Sequence, residues 1–89
     1  MKTHEITALT GASCVQASYT DSEIAGVYTS DLLSDAMANA VPEGVLITMQ
    51  AHKNTVAVAT LKDLAAIVIC NNRPIPDDMI AAAREEGIA

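Results

Sequence analysis

Chemistry-bearing side chains in this chain gather in three short stretches, each placed directly after an apolar run. Thr29-Ser30-Asp31 follows "EIAGVY", Gln50 and His52-Lys53-Asn54 follow "VLITM", and Asn71-Asn72-Arg73 follows "AIVIC". Hydroxyl, amide, imidazole and cationic groups are the donors that recognise an anion, and the charged donors make the stronger hydrogen bonds. Catalysis would need more than donors. His4 and His52 have no motif partner, so no nucleophile–base pair is formed. Cys14 and Cys70 do not make a CxxC pair, and no spacing of His and Cys suits a metal ion. A GxxxxGK[ST] phosphate loop is absent. Asp77-Asp78 and Glu85-Glu86 read as solvated helix ends rather than as general acids. The chemistry expected is binding without turnover, with neither metal nor cofactor.

The elements that position these stretches follow from pattern. Residues 3–10 predict a short helix capped by Thr3 and closed by Gly11, with Ile6 and Leu9 on one face. Residues 13–17 predict a weak strand, and "SYTDS" a turn. Residues 23–29 predict a strand in which Gly26 marks a bulge or a close backbone approach. Ser30 is then expected to cap a helix over 31–39, with Leu32, Leu33, Ala36 and Met37 inward and Asp31, Ser34 and Asp35 in water. After a turn at 41–44, residues 45–50 are apolar enough for a central strand. Residues 54–65 predict a helix with Ala57, Leu61, Leu64 and Ala65 inward and Lys62 and Asp63 wet. The β-branched run 66–70 is the clearest strand. Pro76 suits a first helical position, Asp77 and Asp78 suit the positive end of a helix dipole, and Gly87 ends that helix. "GIA" at 87–89 has the look of a further strand beginning.

Strand, helix, strand, helix after residue 40 predicts a parallel unit with right-handed crossovers. Ligands of open parallel sheets bind beyond the carboxyl ends of the strands. The three polar stretches therefore fall on one edge, two of them leading into helix N-termini that attract anions. Thr29, Ser30, Asp31, Gln50, His52, Lys53, Asn54, Asn72 and Arg73 form the candidate ligand site. The plain alternative is that loops are polar anyway and that Ser30 and Asn54 only cap helices.

Bulk properties narrow the classes further. At 89 residues the chain is a single domain with a limited core. Hydrophobic residues make up 51% but aromatics only 2%, Tyr19 and Tyr28, so an aliphatic and alanine-rich core is required. Such a core suits a parallel sheet covered by helices. The net charge of −6, with only five scattered basic residues, excludes nucleic acid and anionic membrane surfaces as partners. No apolar run approaches the roughly 20 residues that span a bilayer, and the opening residues do not form a secretory leader. Cys14 and Cys70 read as reduced, buried thiols of a cytoplasmic protein.

The stretch "DSEIAGVYTSDLLSDAM", continued by "ITMQAHKNTVAVATLKDLAAIVI" and "PDDMIAAAREEGI", resembles the DRTGG-domain family over most of residues 3–88. Members occur in the amino-terminal region of HPr kinase/phosphorylases, in phosphate acetyltransferases and as small stand-alone proteins. Of the signature, Asp21 and Gly26 are present, while Ser22, Glu23 and Val27 stand where it has Arg, Thr and a second Gly. The resemblance implies a three-layer α/β sandwich with a mainly parallel sheet, similar to the amino-terminal domain of HPr kinase/phosphorylase. It implies one domain over residues 1–89 that stops short of the family's usual last strand and helix. It also implies a non-catalytic regulatory or assembly role, often as a homodimer, without kinase activity. The resulting expectation is a regulatory module binding a small anionic or nucleotide-like ligand at the carboxyl edge. The alternative expectation is an interaction or homodimerisation module of a larger enzyme system, with no small ligand.

Overall fold

Short aliphatic runs become strands where neighbouring strands can satisfy their backbone and helices can cover their side chains. The computed structural model describes residues 1–89. Strands β1 (Val27–Thr29), β2 (Val45–Thr48) and β3 (Ala66–Ile69) form one sheet in the order β1-β2-β3. Both pairings are parallel, with Val27 opposite Val45 and Val45 opposite Ala66. A 3-10 turn (Thr3–Glu5) runs into helix α1 (Ile6–Thr10). Helix α2 (Leu33–Asn39) connects β1 to β2, α3 (Lys53–Leu61) connects β2 to β3, and α4 (Asp77–Glu86) follows β3. The chain is an α/β fold built on a parallel sheet, as the alternation predicts.

Side chains alternate across the strands, so each face has its own set. On one face Leu46 and the half-buried Tyr28, Ile67 and Ile69 pack under Ala36 of α2, Val56 and Ala59 of α3, and Met79 and Ala83 of α4. Strands used in chain order, with crossovers of one hand, put all three helices on the same side. Alanines at the contacts let short helices lie close, which compensates for a core without large aromatics. On the other face Val45 and Ala66 are covered by Ile6 of α1, with Ile24 and Ala89 beside them. That third layer stops halfway: Ile47 and Val68 are half-buried, and Val27 is 58% exposed.

Hydrogen bonds tie the first residues to this face. Thr3 N–H donates to Ser22 C=O at 2.9 Å, and its hydroxyl donates to the same oxygen at 3.1 Å. His4 Nδ1 lies 2.7 Å from Asp21 Oδ2, and the Met1 ammonium lies 2.7 Å from Glu23 Oε1. These contacts hold Asp21 and Glu23 below the usual carboxylate range, the hydrogen bonds from His4 and the amino terminus being the main causes.

Several expectations are corrected. Thr3 does not cap the first helix, because its hydroxyl is committed to Ser22. Leu9 does not join Ile6 but is 73% exposed. Residues 13–17 form no strand. Buried Gln16 replaces the ladder there, donating from Nε2 to Ser18 C=O at 3.0 Å and to Ile88 C=O at 2.8 Å. The strand expected over 23–29 is confined to Val27–Thr29, and Glu23 makes an isolated antiparallel bridge with Lys2. Gly26 marks a close approach, since a Cβ there would stand 3.1 Å from Val41 Cγ2. Leu32 lies at the cap of α2, 60% exposed, and Asp35 turns from water to accept the Tyr28 hydroxyl at 2.7 Å.

The inward stripe of α3 is Thr55, Val56, Val58 and Ala59, while Ala57 and Leu61 face out. The helix stops at Leu61, and a turn with Asp63 at φ 53° delivers Leu64 and Ala65 to the core from the following loop. Because α3 ends at Leu61 and not at residue 65, the expected stripe through Ala57, Leu61, Leu64 and Ala65 does not form on one helix. Pro76 is the cap of α4 rather than its first residue. Cys14 is exposed and Cys70 half-buried, so the thiols are free but not both buried. The strand suggested by "GIA" reaches one rung: Ala89 N–H donates to Ala65 C=O at 3.3 Å and Ile67 N–H to Ala89 C=O at 2.9 Å.

Candidate functional site

Parallel strands end at the same edge, so the three polar stretches share it. Thr29 closes β1 in the exposed state, and half-buried Ser30 extends the ladder by donating its N–H to Ile47 C=O at 3.0 Å. Ser30 is not the cap of α2. Its Oγ accepts the Leu32 N–H at 3.1 Å, making a local turn that delivers the chain to the helix. Asp31 is exposed, and its carbonyl accepts the Gln50 amide at 2.6 Å, which joins the loop after β1 to the loop after β2.

The loop after β2 is held from beneath by two buried threonines. Thr48 Oγ1 accepts the Gln50 N–H at 3.2 Å, and Thr55 Oγ1 donates to Gln50 C=O at 2.6 Å. Gln50 is thereby fixed on both sides of its backbone. His52 is the cap of α3: its Nδ1 accepts the Asn54 N–H at 3.0 Å, which leaves the ring proton on Nε2. The cap expected at Asn54 thus belongs to His52, and Asn54 sits within the first turn. Lys53 and Asn54 are exposed there.

After β3, Cys70 N–H donates to Thr48 C=O at 3.0 Å, and the chain then turns through Asn71 at φ 65° and Asn72 at φ 52°. Asparagine is among the few side chains that tolerate this left-handed region. Asn71 Nδ2 reaches Met49 Sδ at 3.2 Å, while Asn72 and Arg73 are exposed. Of the nine candidate residues, Asp31 touches Gln50 and His52 touches Asn54. Lys53 and Arg73 belong to no salt bridge; the only two are Met1–Glu23 and His4–Asp21. No group of three or more His, Cys, Asp or Glu side chains is placed to hold a metal ion.

Other features were not anticipated. Tyr28, Asp35 and Asn39 form a chain, with Tyr28 Oη donating to Asp35 Oδ2 at 2.7 Å and Asn39 Nδ2 donating to Asp35 Oδ1 at 2.8 Å. The Tyr28 hydroxyl holds Asp35 below the usual range, and the same bond raises Tyr28. The i,i+4 spacing of Asp35 and Asn39 was the available signal. A cavity of about 260 Å³ opens at the amino end of the sheet, lined by Thr20, Ser22, Glu43, Asp63 and Glu86 among others. A groove of about 460 Å³ runs between α3 and α4, and Lys53 and Asn54 line one end of it. Neither lies between the three loops. A scan against protein-family models matches no family, and no curated protein and no solved structure matches the chain.

Proposed function

We propose that the chain is a non-catalytic regulatory module that takes a small anion of phosphate or nucleotide type at the carboxyl edge of its sheet. The observation that carries this reading is the placement of Lys53 and Arg73 on the same edge, both exposed and both without a carboxylate partner. In a chain of net charge −6, these are two of five basic residues. Lys53 stands in the first turn of α3, where the positive end of the helix dipole adds to its field. Asn72 and the Thr29 hydroxyl are the neutral donors. Work in the cytoplasm fits the two free thiols, which stay reduced there. The DRTGG resemblance supports a regulatory role without kinase chemistry, and it rests on the residues quoted for it. Calorimetric titration with inorganic phosphate and adenine nucleotides tests the reading. Binding tighter than about 1 mM, worth about 4 kcal/mol, is expected for one of these probes. It should be lost in the Lys53→Ala/Arg73→Ala variant. Absence of binding to every probe overturns it.

A second reading, an interaction module within a larger assembly, is favoured by a separate observation. Large apolar side chains stand open on the surface, Leu61 at 71% and Val27 at 58%. An 89-residue chain gains from covering them.

A further inference from the structure

The groups left free at the carboxyl edge suit a phosphate and not a nucleobase. Lys53 and Arg73 are exposed cations without a carboxylate partner. An ammonium and a guanidinium fork answer to phosphoryl oxygens with charge-assisted hydrogen bonds. The two follow neighbouring strands, β2 and β3, which lie about 4.8 Å apart in a sheet. Two long side chains rising from that spacing can converge on one phosphate chain.

The groups that would hold a base are spent or stand elsewhere. Gln50 Nε2 donates to Asp31 C=O at 2.6 Å, and Asn71 Nδ2 reaches Met49 Sδ at 3.2 Å. His52 is the one ring at this edge. Its Nδ1 accepts the Asn54 N–H at 3.0 Å, which fixes it against the first turn of α3. The chain has neither Phe nor Trp. Tyr28 is half-buried against the helix-side core, with its hydroxyl on Asp35 at 2.7 Å. Tyr19 belongs to the opposite end of the sheet, next to Thr20, which bonds Gly87 and lines the cavity there. Leu32, 60% exposed just after Asp31, is aliphatic. A base stacked on an aromatic face gains about tenfold or more in affinity. The exposed amides of Asn54 and Asn72 give a base edge little alone, because water offers it the same hydrogen bonds. Resting on the anion reading above, we propose that this edge recognises the phosphoryl group alone. Inorganic phosphate, pyrophosphate and the phosphate chain of a nucleotide bind through the same groups, and the sugar and base stay in solvent. The number of phosphates, rather than the base, then grades affinity.

Calorimetric titration of the full chain without divalent cations separates the sources of the phosphate. The probes are inorganic phosphate, pyrophosphate, ADP, GDP, CDP and adenosine. Pyrophosphate and the three nucleoside diphosphates should bind within about threefold of one another, since no stacking gain distinguishes them. Phosphate should bind more weakly, and adenosine should not bind. Lys53→Ala and Arg73→Ala should each weaken pyrophosphate and ADP by the same factor, about fivefold or more. Leu32→Ala should leave the ratio of ADP to pyrophosphate affinity unchanged. A wider spread among the diphosphates or adenosine binding overturns the inference and leaves the anion reading standing. So does a Leu32→Ala or His52→Asn variant that weakens ADP while sparing pyrophosphate. Absence of binding to phosphate, pyrophosphate and every nucleotide overturns the anion reading, and this inference with it.

Discussion

Replacing Thr55 by Val removes one hydroxyl from beneath the candidate site while keeping nearly the same shape. Thr55 is 0% exposed, and its Oγ1 donates to Gln50 C=O at 2.6 Å. The substitution forfeits a net hydrogen bond of about 1 kcal/mol and leaves a part-buried carbonyl short of a partner, so the total cost is about 1–2 kcal/mol. For a domain of this size that corresponds to roughly 5–15 °C in the unfolding midpoint. Thr55→Ser keeps the donor and loses only a methyl group, and it should retain most of the stability. Thr48→Val removes the acceptor of the Gln50 N–H on the other side of the same residue. Because both threonines hold Gln50, the double variant should be less destabilised than the sum of the singles, by about 0.5 kcal/mol or more. Thermal unfolding followed by circular dichroism reads each of these. Thr55→Val with an unmoved midpoint, or a strictly additive double variant, would refute the argument that two buried hydroxyls fix the β2–α3 loop.

Gly44→Ala should destabilise by about 1–3 kcal/mol in urea unfolding, as overpacking does. The added Cβ would stand 2.7 Å from the Val41 carbonyl oxygen and 3.2 Å from that of Gly26, and neither is a side chain able to move aside. The pair His4–Asp21 gives an acid-side dependence. The folded pKa of Asp21 is lowered from 3.8, chiefly by the His4 hydrogen bond. Its contribution is therefore present above that unfolded value and is lost as the pH falls through the lower folded one. His4→Ala should flatten the loss of stability in that window in pH-dependent urea titrations, and an unchanged slope would show that the exposed contact contributes nothing.

The backbone plan was legible because each deciding signal is local. The β-branched run at 66–70, the apolar run at 45–50 and the glycines at 11 and 87 all sit where strands and helix ends lie. The face of α3 was not legible. Its pattern admits two stripes, one through Ala57 and Leu61 and one through Val56 and Ala59. Only the early turn at Asp63 and the burial of both valines in the core cluster with Leu46, Met79 and Ala83 choose between them. Tertiary burial outweighs the weak helix preference of valine there. Gln16 is a similar case. A polar residue in a run of small side chains gives no hint that it will be buried and bonded to Ile88, some seventy positions away.

The same distinction separates the two candidate surfaces. The carboxyl edge follows from strand order alone, so its residues could be named from sequence, and the sheet brings their loops to one side. What strand order does not fix is whether those side chains look outward or satisfy one another. Here the Gln50 amide turns to the Asp31 carbonyl and His52 Nδ1 to the Asn54 N–H, while the side chains of Thr29, Lys53, Asn54, Asn72 and Arg73 make no hydrogen bond or salt bridge. The α3/α4 groove depends instead on which stripe α3 buries. Once Val56, Val58 and Ala59 face the sheet, the helix geometry puts Lys53, Ala57 and Leu61 along the outer line, one turn apart. An inward stripe through Leu61 would have left no apolar ridge on the surface. Lys53 thus stands where the carboxyl edge and this outer line of α3 meet.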